Sequence, residues 1–547
     1  MQDRSNAKPS FCIRGDKSMH GFRKLFIICL ATLAFAQSYS QLLTVDPSKR
    51  YLTQDGKPFL LVGDAAWSLI AQLSDQDADL YLKNRHAMGY TAVLVNLIEH
   101  QFATNAPMNI YNQSPFSGAA FSSTPNEAYF AHVDHIINAA YYEGIVVLLA
   151  PVYLGYLCGS QGWCVEVKNA DTSAMRSWGR YVGQRYAGNP NIIWVIGGDT
   201  DPGSVKPKLR AVVNGIKEYD NNHLFTVHDG PEQTLTAAWP GESWININNV
   251  YTYSTTQYEN CASAYTRNPI LPFFLLESAY ENEHGSTQQE LRAQSYWAML
   301  SGAFGHVFGN CPIWGFDAAA GFCTVSNWKG QINGQGSQNM KHFHDLFYSR
   351  NWHRLIPDVT HTAVTAGYGT LGQTSYVTAA YCSDSSSIIA YLPTSRTVTV
   401  NTSLVAGDSV AAWWFNPSNG TYTRVGTFAH GSSMFTPPGA GDWVLVIDNE
   451  DLYPDVTNPP VSDVRENVGS ATIAGAAYPN PFKTTLHIPT QNSSIVEVFD
   501  ILGRRVLSER IEPGQTAFTW TPRNIGYGVY FVRFGGTVRL YKVLYVP

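Results

Sequence analysis

"NIIWVIGGDTD" occupies Asn191–Asp201. An apolar, β-rich run ends there in two glycines and then two acids. A run apolar at nearly every position has no face for water, so it reads as a strand covered on both sides, the mark of a parallel sheet. Seven more runs of this kind occur: "FLLVGDAAW" (59–67), "YTAVLVNLI" (90–98), "GIVVLLAPVY" (144–153), "HLFTVHDG" (223–230), "WININNVYTY" (244–253), "PFFLLESAY" (272–280) and "HVFGNCPIW" (306–314). Helical patterns fit between most of them. In "TPNEAYFAHVDHIINAAYYEG" the spacing predicts Thr124 as N-cap, Pro125 at the first helical position and Glu127 completing a capping box. Phe130, Val133, Ile137 and Ala140 keep helical spacing, and Gly144 ends the element. "STQQELRAQSYWAML" predicts the same start, with Ser286 as cap and Gln289 three positions on. Eight strand–helix units between residues 58 and 316 match the count and size of a (β/α)8 barrel. An open doubly wound sheet is the alternative, but no G-x-G-x-x-G follows the first run.

The chain is 547 residues long, too long for one core, and its texture changes along the way. Residues 41–350 read as an α/β (β/α)8 TIM barrel. Residues 351–450 carry short alternating runs punctuated by Gly, Ser, Asn and Pro, which predicts a β-sandwich. A linker rich in Pro, Val and Asn follows at 451–475, and 476–547 read as a second small all-β domain. The first 40 residues read as an export signal. "HGFRK" (20–24) is basic, "LFIICLATLAFA" (25–36) is an apolar stretch of 12, and small-residue cleavage choices follow. Met19 is the alternative start. The apolar stretch is too short to span a bilayer, so no integral membrane segment is expected once the signal is removed.

Hydrophobic residues make up 44% of the chain, charged residues only 14% and aromatic residues 13%. Large cores account for that balance, and so does a cleft whose rings stack on sugar faces. A net charge of −6 without a basic patch argues against nucleic acid as a partner. Six cysteines lie beyond the signal, and Cys158–Cys164 and Cys311–Cys323 are the local pairing candidates in an exported chain. No C-x-x-C pair is present, so no structural zinc is expected.

In a parallel barrel the chemistry sits where strands end. The ends supply Asp64 and Trp67 (first), Asn96, Glu99 and His100 (second), Tyr153 (third), Asp199 and Asp201 (fourth), and His228 and Asp229 (fifth). The rest give Tyr251 and Tyr253 (sixth), Glu277 and Glu281 (seventh), and Trp314 and Asp317 (eighth). This ring is acidic and aromatic. It has no serine elbow, phosphate loop or histidine-rich metal cluster. Two carboxylates facing across an aromatic cleft suit glycoside hydrolysis, one protonating the leaving oxygen and the other attacking the anomeric carbon or activating water. Asp199 abuts strand four directly and is the acid/base candidate ahead of Asp201. Glu277, driven out of an apolar strand on the opposite side, is the nucleophile candidate. Gly197 and Gly198 let the chain turn sharply and leave room for a sugar. Asp64, Trp67, Asn96, Tyr153, His228, Tyr251, Tyr253 and Trp314 are the substrate-binding candidates. His228 and Tyr253 are also placed to orient Glu277, Asp64 equally to fix its own loop, and Glu281 and Glu283 read as loop acids.

Placement after strands four and seven resembles the large clan of retaining barrel glycosidases. More closely, "FLLVGDAAWSLI", "WVIGGDTD" and "FFLLESAYE" resemble the apiosidase-like barrel hydrolases, glycoside hydrolase family 140 and its wider relatives, over residues 44 to 350. The resemblance implies a retaining, exo-acting glycosidase with Asp199 as acid/base and Glu277 as nucleophile, no cofactor, and apiose as the leading sugar. "YLPTSRTVTV", "WWFNPSNGTY" and "GDWVLVID" resemble the collagen-binding type of sandwich found behind such barrels, here read as a packing partner of the barrel. "YPNPF", "VFDILGRRV" and "GYGVYFVRF" resemble the C-terminal sorting domain of the type IX secretion system. That implies export across the outer membrane of a Bacteroidetes-type bacterium, to a secreted or surface-attached state. The expected partners are therefore a polysaccharide or oligosaccharide and the type IX machinery. The enzyme alternatives are an α-L-arabinofuranosidase or an endo-glucanase-like barrel. The non-enzyme alternative is a surface carbohydrate- or matrix-binding protein, which the presence of both carboxylates disfavours.

Overall fold

The computed structural model describes residues 42–319 and 321–453, and in the C-terminal part 484–489, 495–500, 505–511, 517–522, 525, 528–534 and 540–545. The export signal, almost all of the linker and "YPNPF" lie outside the described residues. Contacts divide the chain into two units, 1–462 and 463–547.

Eight parallel strands form the heart of the first unit: β1 (Leu61–Ala65), β2 (Ala92–Asn96), β3 (Val146–Ala150), β4 (Ile192–Gly197), β5 (Leu224–His228), β6 (Asn248–Tyr251), β7 (Phe273–Glu277) and β8 (Gly305–Phe308). Seven fall within the runs read from the sequence, and β8 begins one residue before its run, at Gly305. Their order, β5-β4-β3-β2-β1-β8-β7-β6, leaves one seam between β5 and β6. The Asn246 and Ile247 amides donate to the Phe225 carbonyl (3.0 and 3.2 Å), and the Asn249 side chain donates to the Val227 carbonyl (2.5 Å), so the barrel is nearly closed. Alternate residues serve two cores. Ile193 and Val195 join Leu94 and Leu148 inside the barrel, while Trp194 and Ile196 meet Val212 and Ile216 of the helix Lys206–Lys217 outside it.

Two helix starts differ from expectation. The helix Glu127–Tyr142 is capped by Asn126, whose side chain accepts from the Ala128 amide, not by Thr124. Thr124 and Pro125 are instead tied back to Ser117 and Phe116, which holds them outside the helix. The helix Gln288–Leu300 is capped by Thr287 with Glu290 closing the box, one residue later than Ser286 and Gln289. Ser286 is occupied by its bond to the Tyr280 carbonyl.

Nine antiparallel strands follow, β9 (Leu355–Pro357), β10 (Val364–Ala366), β11 (Thr378–Cys382), β12 (Ser387–Leu392), β13 (Val398–Asn401), β14 (Val410–Asn416), β15 (Thr421–Phe428), β16 (Ser432–Phe435) and β17 (Trp443–Asn449). They form a six-stranded sheet, β9-β11-β12-β17-β14-β15, and a three-stranded one, β10-β13-β16. The larger sheet packs on the barrel. Arg292 makes a two-pronged ion pair with Asp442 (2.8 and 2.7 Å), and the Tyr296 and Tyr391 rings stack with centroids 5.1 Å apart. Arg350, which follows the last barrel helix, pairs with Asp448 of β17 at 3.0 Å with both side chains buried. Removing one partner leaves the other charge dry. Arg350→Met is therefore expected to cost about 3–5 kcal/mol of stability, read as a lower urea midpoint. Arg350→Met/Asp448→Leu should recover most of that loss.

The second unit has two antiparallel sheets. One pairs Leu486–Pro489 with Ala517–Trp520, and the other orders Arg505–Arg510, Ile495–Asp500, Gly528–Phe534 and Leu540–Tyr545. Val496, Val498, Phe518, Trp520 and Val532 form its core. Among the described residues no helix is long and apolar enough to cross a membrane.

Candidate active site

Asp199 leaves β4 through left-handed backbone: Gly197, Gly198 and Asp199 have φ of 101°, 149° and 48°. A Cβ on Gly197 would lie 2.5 Å from the His228 carbonyl oxygen, and one on Gly198 would lie 2.3 Å from the Tyr153 ring. The glycines thus make room for the protein's own Tyr153 and β5 rather than for a sugar. The strained turn aims the carboxyl group at Tyr251, whose hydroxyl donates to Oδ1 at 2.8 Å, while the Tyr153 hydroxyl stands 3.4 Å from Oδ2. Burial first, then the nearby Glu277 charge, pushes the Asp199 carboxyl up to about 6. His228 and the two phenols pull the other way. Burial and the two carboxylates keep the Tyr153 and Tyr251 phenols protonated as donors.

Glu277 ends β7, and its Oε2 lies 2.8 Å from His228 Nε2. The other ring nitrogen, Nδ1, receives the Asp199 backbone N–H at 2.7 Å. Burial disfavours the imidazolium, and the Glu277 and Asp199 carboxylates outweigh it, raising the pKa. The Asp199 N–H nevertheless requires a lone pair on Nδ1. That contact fixes a neutral ring with its proton on Nε2, donated to Glu277. His228 therefore bridges the chain at Asp199 to the carboxylate of Glu277 across the barrel mouth.

Trp67, Tyr153 and Tyr251 enclose His228, with ring centroids 5.4, 6.3 and 5.2 Å from it. The Tyr253 hydroxyl is 3.3 Å from that of Tyr251, and its ring is half exposed. Trp314 stands in the loop after β8, against Phe102 and Phe322. These six sequence candidates, with Asp199 and Glu277, line the mouth.

Two candidates are engaged by other side chains of the protein. Asp64 is 0% exposed. Its Oδ2 accepts from Tyr81 (2.6 Å) and Arg85 (3.0 Å), which ties it between β1 and the helix Asp75–Ala87. It cannot hold a sugar hydroxyl. Asn96 is buried too, and donates to Glu99 at 3.1 Å. Glu99 itself receives the amides of His100, Gln101 and Phe102, and so braces the loop after β2. Asp201 is mostly exposed, beside Lys206 at 3.6 Å.

Two neighbours of Glu277 are not among the site candidates of the sequence: Tyr280, and Glu283, which reads there as a loop acid. Trp67 Nε1 donates to the Tyr280 hydroxyl at 3.2 Å. Glu283 takes the Trp314 indole N–H at 2.5 Å. Burial, aided by the Glu277 charge, raises the Glu283 carboxyl to about 7, with the Trp314 bond opposing. Glu281 is instead a buried brace, accepting from Gln288, Asn310 and the Gly336 amide. Disulfides Cys158–Cys164 and Cys311–Cys323 close the loops after β3 and β8. Among the described residues no group of three or more His, Cys, Asp or Glu side chains is placed to hold a metal.

Residues 46–354 match the family model described as "Apiosidase-like, catalytic domain". Residues 362–448 match the model of a collagenase's collagen-binding domain, and 476–542 match the "Secretion system C-terminal sorting domain". A glycoside hydrolase family 5 structure from Bacteroides vulgatus is similar with a TM-score of 0.67 and 22% identity, over 75% of this chain and 94% of that one. A structure named a glycoside hydrolase gives a TM-score of 0.67 at 22% identity, over 75% and 98%. At that identity the likeness speaks for the fold. No curated protein sequence matches the chain.

Proposed function

Because the chain belongs to the apiosidase-like catalytic family and is a glycoside hydrolase exported through type IX secretion, we propose that Asp199 and Glu277 carry a retaining cleavage at its barrel mouth. The observation that supports this most is the bridge from Glu277 through His228 to the backbone of Asp199. It holds the two carboxylates in one rigid unit although they come from strands on opposite sides of the barrel. Glu277, oriented by the His228 N–H, attacks the anomeric carbon. Asp199 Oδ1 is engaged by the short Tyr251 bond, which leaves Oδ2 to carry the proton to the departing oxygen. The result is a glycosyl ester on Glu277. Water, deprotonated by Asp199, then attacks the anomeric carbon, and the sugar leaves with its configuration retained.

An acid that must be protonated works below its pKa. With Asp199 raised to about 6, kcat/KM is expected to fall tenfold per pH unit above that value. A pH–rate profile on the free enzyme reads this directly. A flat profile from pH 5 to 8 would remove Asp199 from the acid role.

The sugar proposed is apiose on pectic side chains, and the mode is exo. The test incubates the full chain with apiose-bearing pectin and a panel of other polysaccharides and identifies what is released. Free apiose supports the assignment. Arabinose alone would move the specificity to arabinofuranosides, and oligosaccharides alone would end exo action.

A further inference from the structure

The segment after β3 is a hairpin-like loop braced at several points. The Trp163 and Cys164 amides donate to the Tyr153 and Leu154 carbonyls (2.8 and 3.3 Å), and Cys158 is bonded to Cys164. Gly155 and Gly162 let the two arms touch: a Cβ on Gly155 would lie 2.4 Å from the Gly162 nitrogen. Trp163, buried, anchors the base by donating to the Ile98 carbonyl at 3.2 Å. All this structure holds up a tip that is both strained and apolar. Leu157 and Cys158 have φ of 51° and 59°, a left-handed conformation that bulky side chains avoid. Yet Tyr156 is 50% and Leu157 72% exposed.

Single exposed apolar residues are ordinary on a protein surface. The position of this pair is what sets it apart. The Leu157 amide points at the Asp199 carbonyl oxygen, 3.4 Å away, and the Tyr153 hydroxyl at the other end of the loop reaches the Asp199 carboxyl. The loop thus borders the acid, while Tyr153 at its base packs on Trp67 with ring centroids 5.4 Å apart. The nucleophile has its own border in Trp67, Tyr280 and Glu283. In a retaining cleavage the acid faces the leaving oxygen and the nucleophile faces the sugar it will hold. The tip of the loop, which reaches the Asp199 backbone, therefore lies on the leaving-group side.

We propose that the disulfide-closed loop 155–164 is the wall of the leaving-group site, with Tyr156 and Leu157 the surface on which the departing carbohydrate rests. This rests on the reading of Asp199 as the acid. The ligand class is a sugar ring with an apolar C–H face, so the group cleaved from is itself a carbohydrate chain and not a small alcohol. The cross-link and the bracing hydrogen bonds keep the platform in place before substrate arrives, which lowers the ordering cost of binding.

The test uses the full chain and compares two substrates. One is the carbohydrate that the wild type cleaves in the panel above. The other is the fluoride of the sugar it releases, whose leaving group makes no contact with the wall. In Tyr156→Ala the ratio of kcat/KM on the carbohydrate to that on the fluoride should fall about tenfold, through KM and not kcat. Leu157→Asn, which suits the left-handed backbone, should shift the ratio the same way with an unchanged melting temperature. A ratio within twofold of wild type in both variants overturns the wall while leaving the catalytic pair standing. A wild-type chain that cleaves no carbohydrate overturns the reading of the site, and the wall with it.

Discussion

Glu277→Gln is expected to lower kcat by on the order of 10⁵-fold while leaving the thermal midpoint nearly unchanged. The amide is isosteric, and its oxygen can still accept the His228 N–H that now lies 2.8 Å from Oε2, so the mouth keeps its shape. What disappears is the charge that attacks the anomeric carbon. Initial rates on the carbohydrate substrate measure the loss. Activity within tenfold of wild type would mean that another group is the nucleophile, and Glu283, whose carboxyl feels the Glu277 charge, would be the next variant to make. Glu277→Ala supplies the mechanistic control. Added azide should restore turnover and give a product of inverted anomeric configuration, because the small anion attacks from the vacated face.

Asp199→Asn acts on the other half of the reaction, and its effect depends on what is leaving. On a sugar leaving group the loss should be about 10²–10⁴-fold, the usual worth of a positioned general acid. On a glycosyl fluoride, which departs without a proton, the first step should be largely spared. The descending limb above about pH 6 should vanish in this variant, since the group responsible for it is gone. Persistence of that limb would assign it to another acid, and Glu283, raised to about 7, is the one at hand. The asparagine oxygen can still accept the Tyr251 hydroxyl, so a lost fold is not the expected explanation for lost activity.

The barrel was legible because parallel strands are covered on both faces, and their runs stand out without any alternation to decode. The catalytic candidates were legible for a related reason: a charged residue directly after a buried strand has nowhere to be except the strand's end. Asp64 shows where that reasoning stops. It lies inside β1, and its partner Arg85 comes from a helix more than one turn of the chain's path away. Whether a strand acid reaches the mouth or a buried arginine depends on packing that no local run of letters records. Glu283 failed in the opposite direction. Left-handed residues at Asn282 and His284 bend its loop back toward Trp314; both types favour that backbone, but the letters do not say which side chain the acid between them will meet. The helix starts at Asn126 and Thr287 moved for a similar reason, since the expected residues Thr124 and Ser286 were already bonded elsewhere.

The two arginine–aspartate pairs between barrel and sandwich carry a consequence for what counts as a module. The family matches change over between residues 354 and 362, as though the chain could be divided there. Arg292 and Arg350 both belong to the barrel side of that line, and Asp442 and Asp448 to the other. A cut at the boundary would remove both aspartates and open to water the apolar contact between barrel and sandwich, the stacked rings of Tyr296 and Tyr391 included. Inheritance and compactness therefore have different lengths in this chain: two family matches share one body, so barrel and sandwich are expected to melt in a single transition.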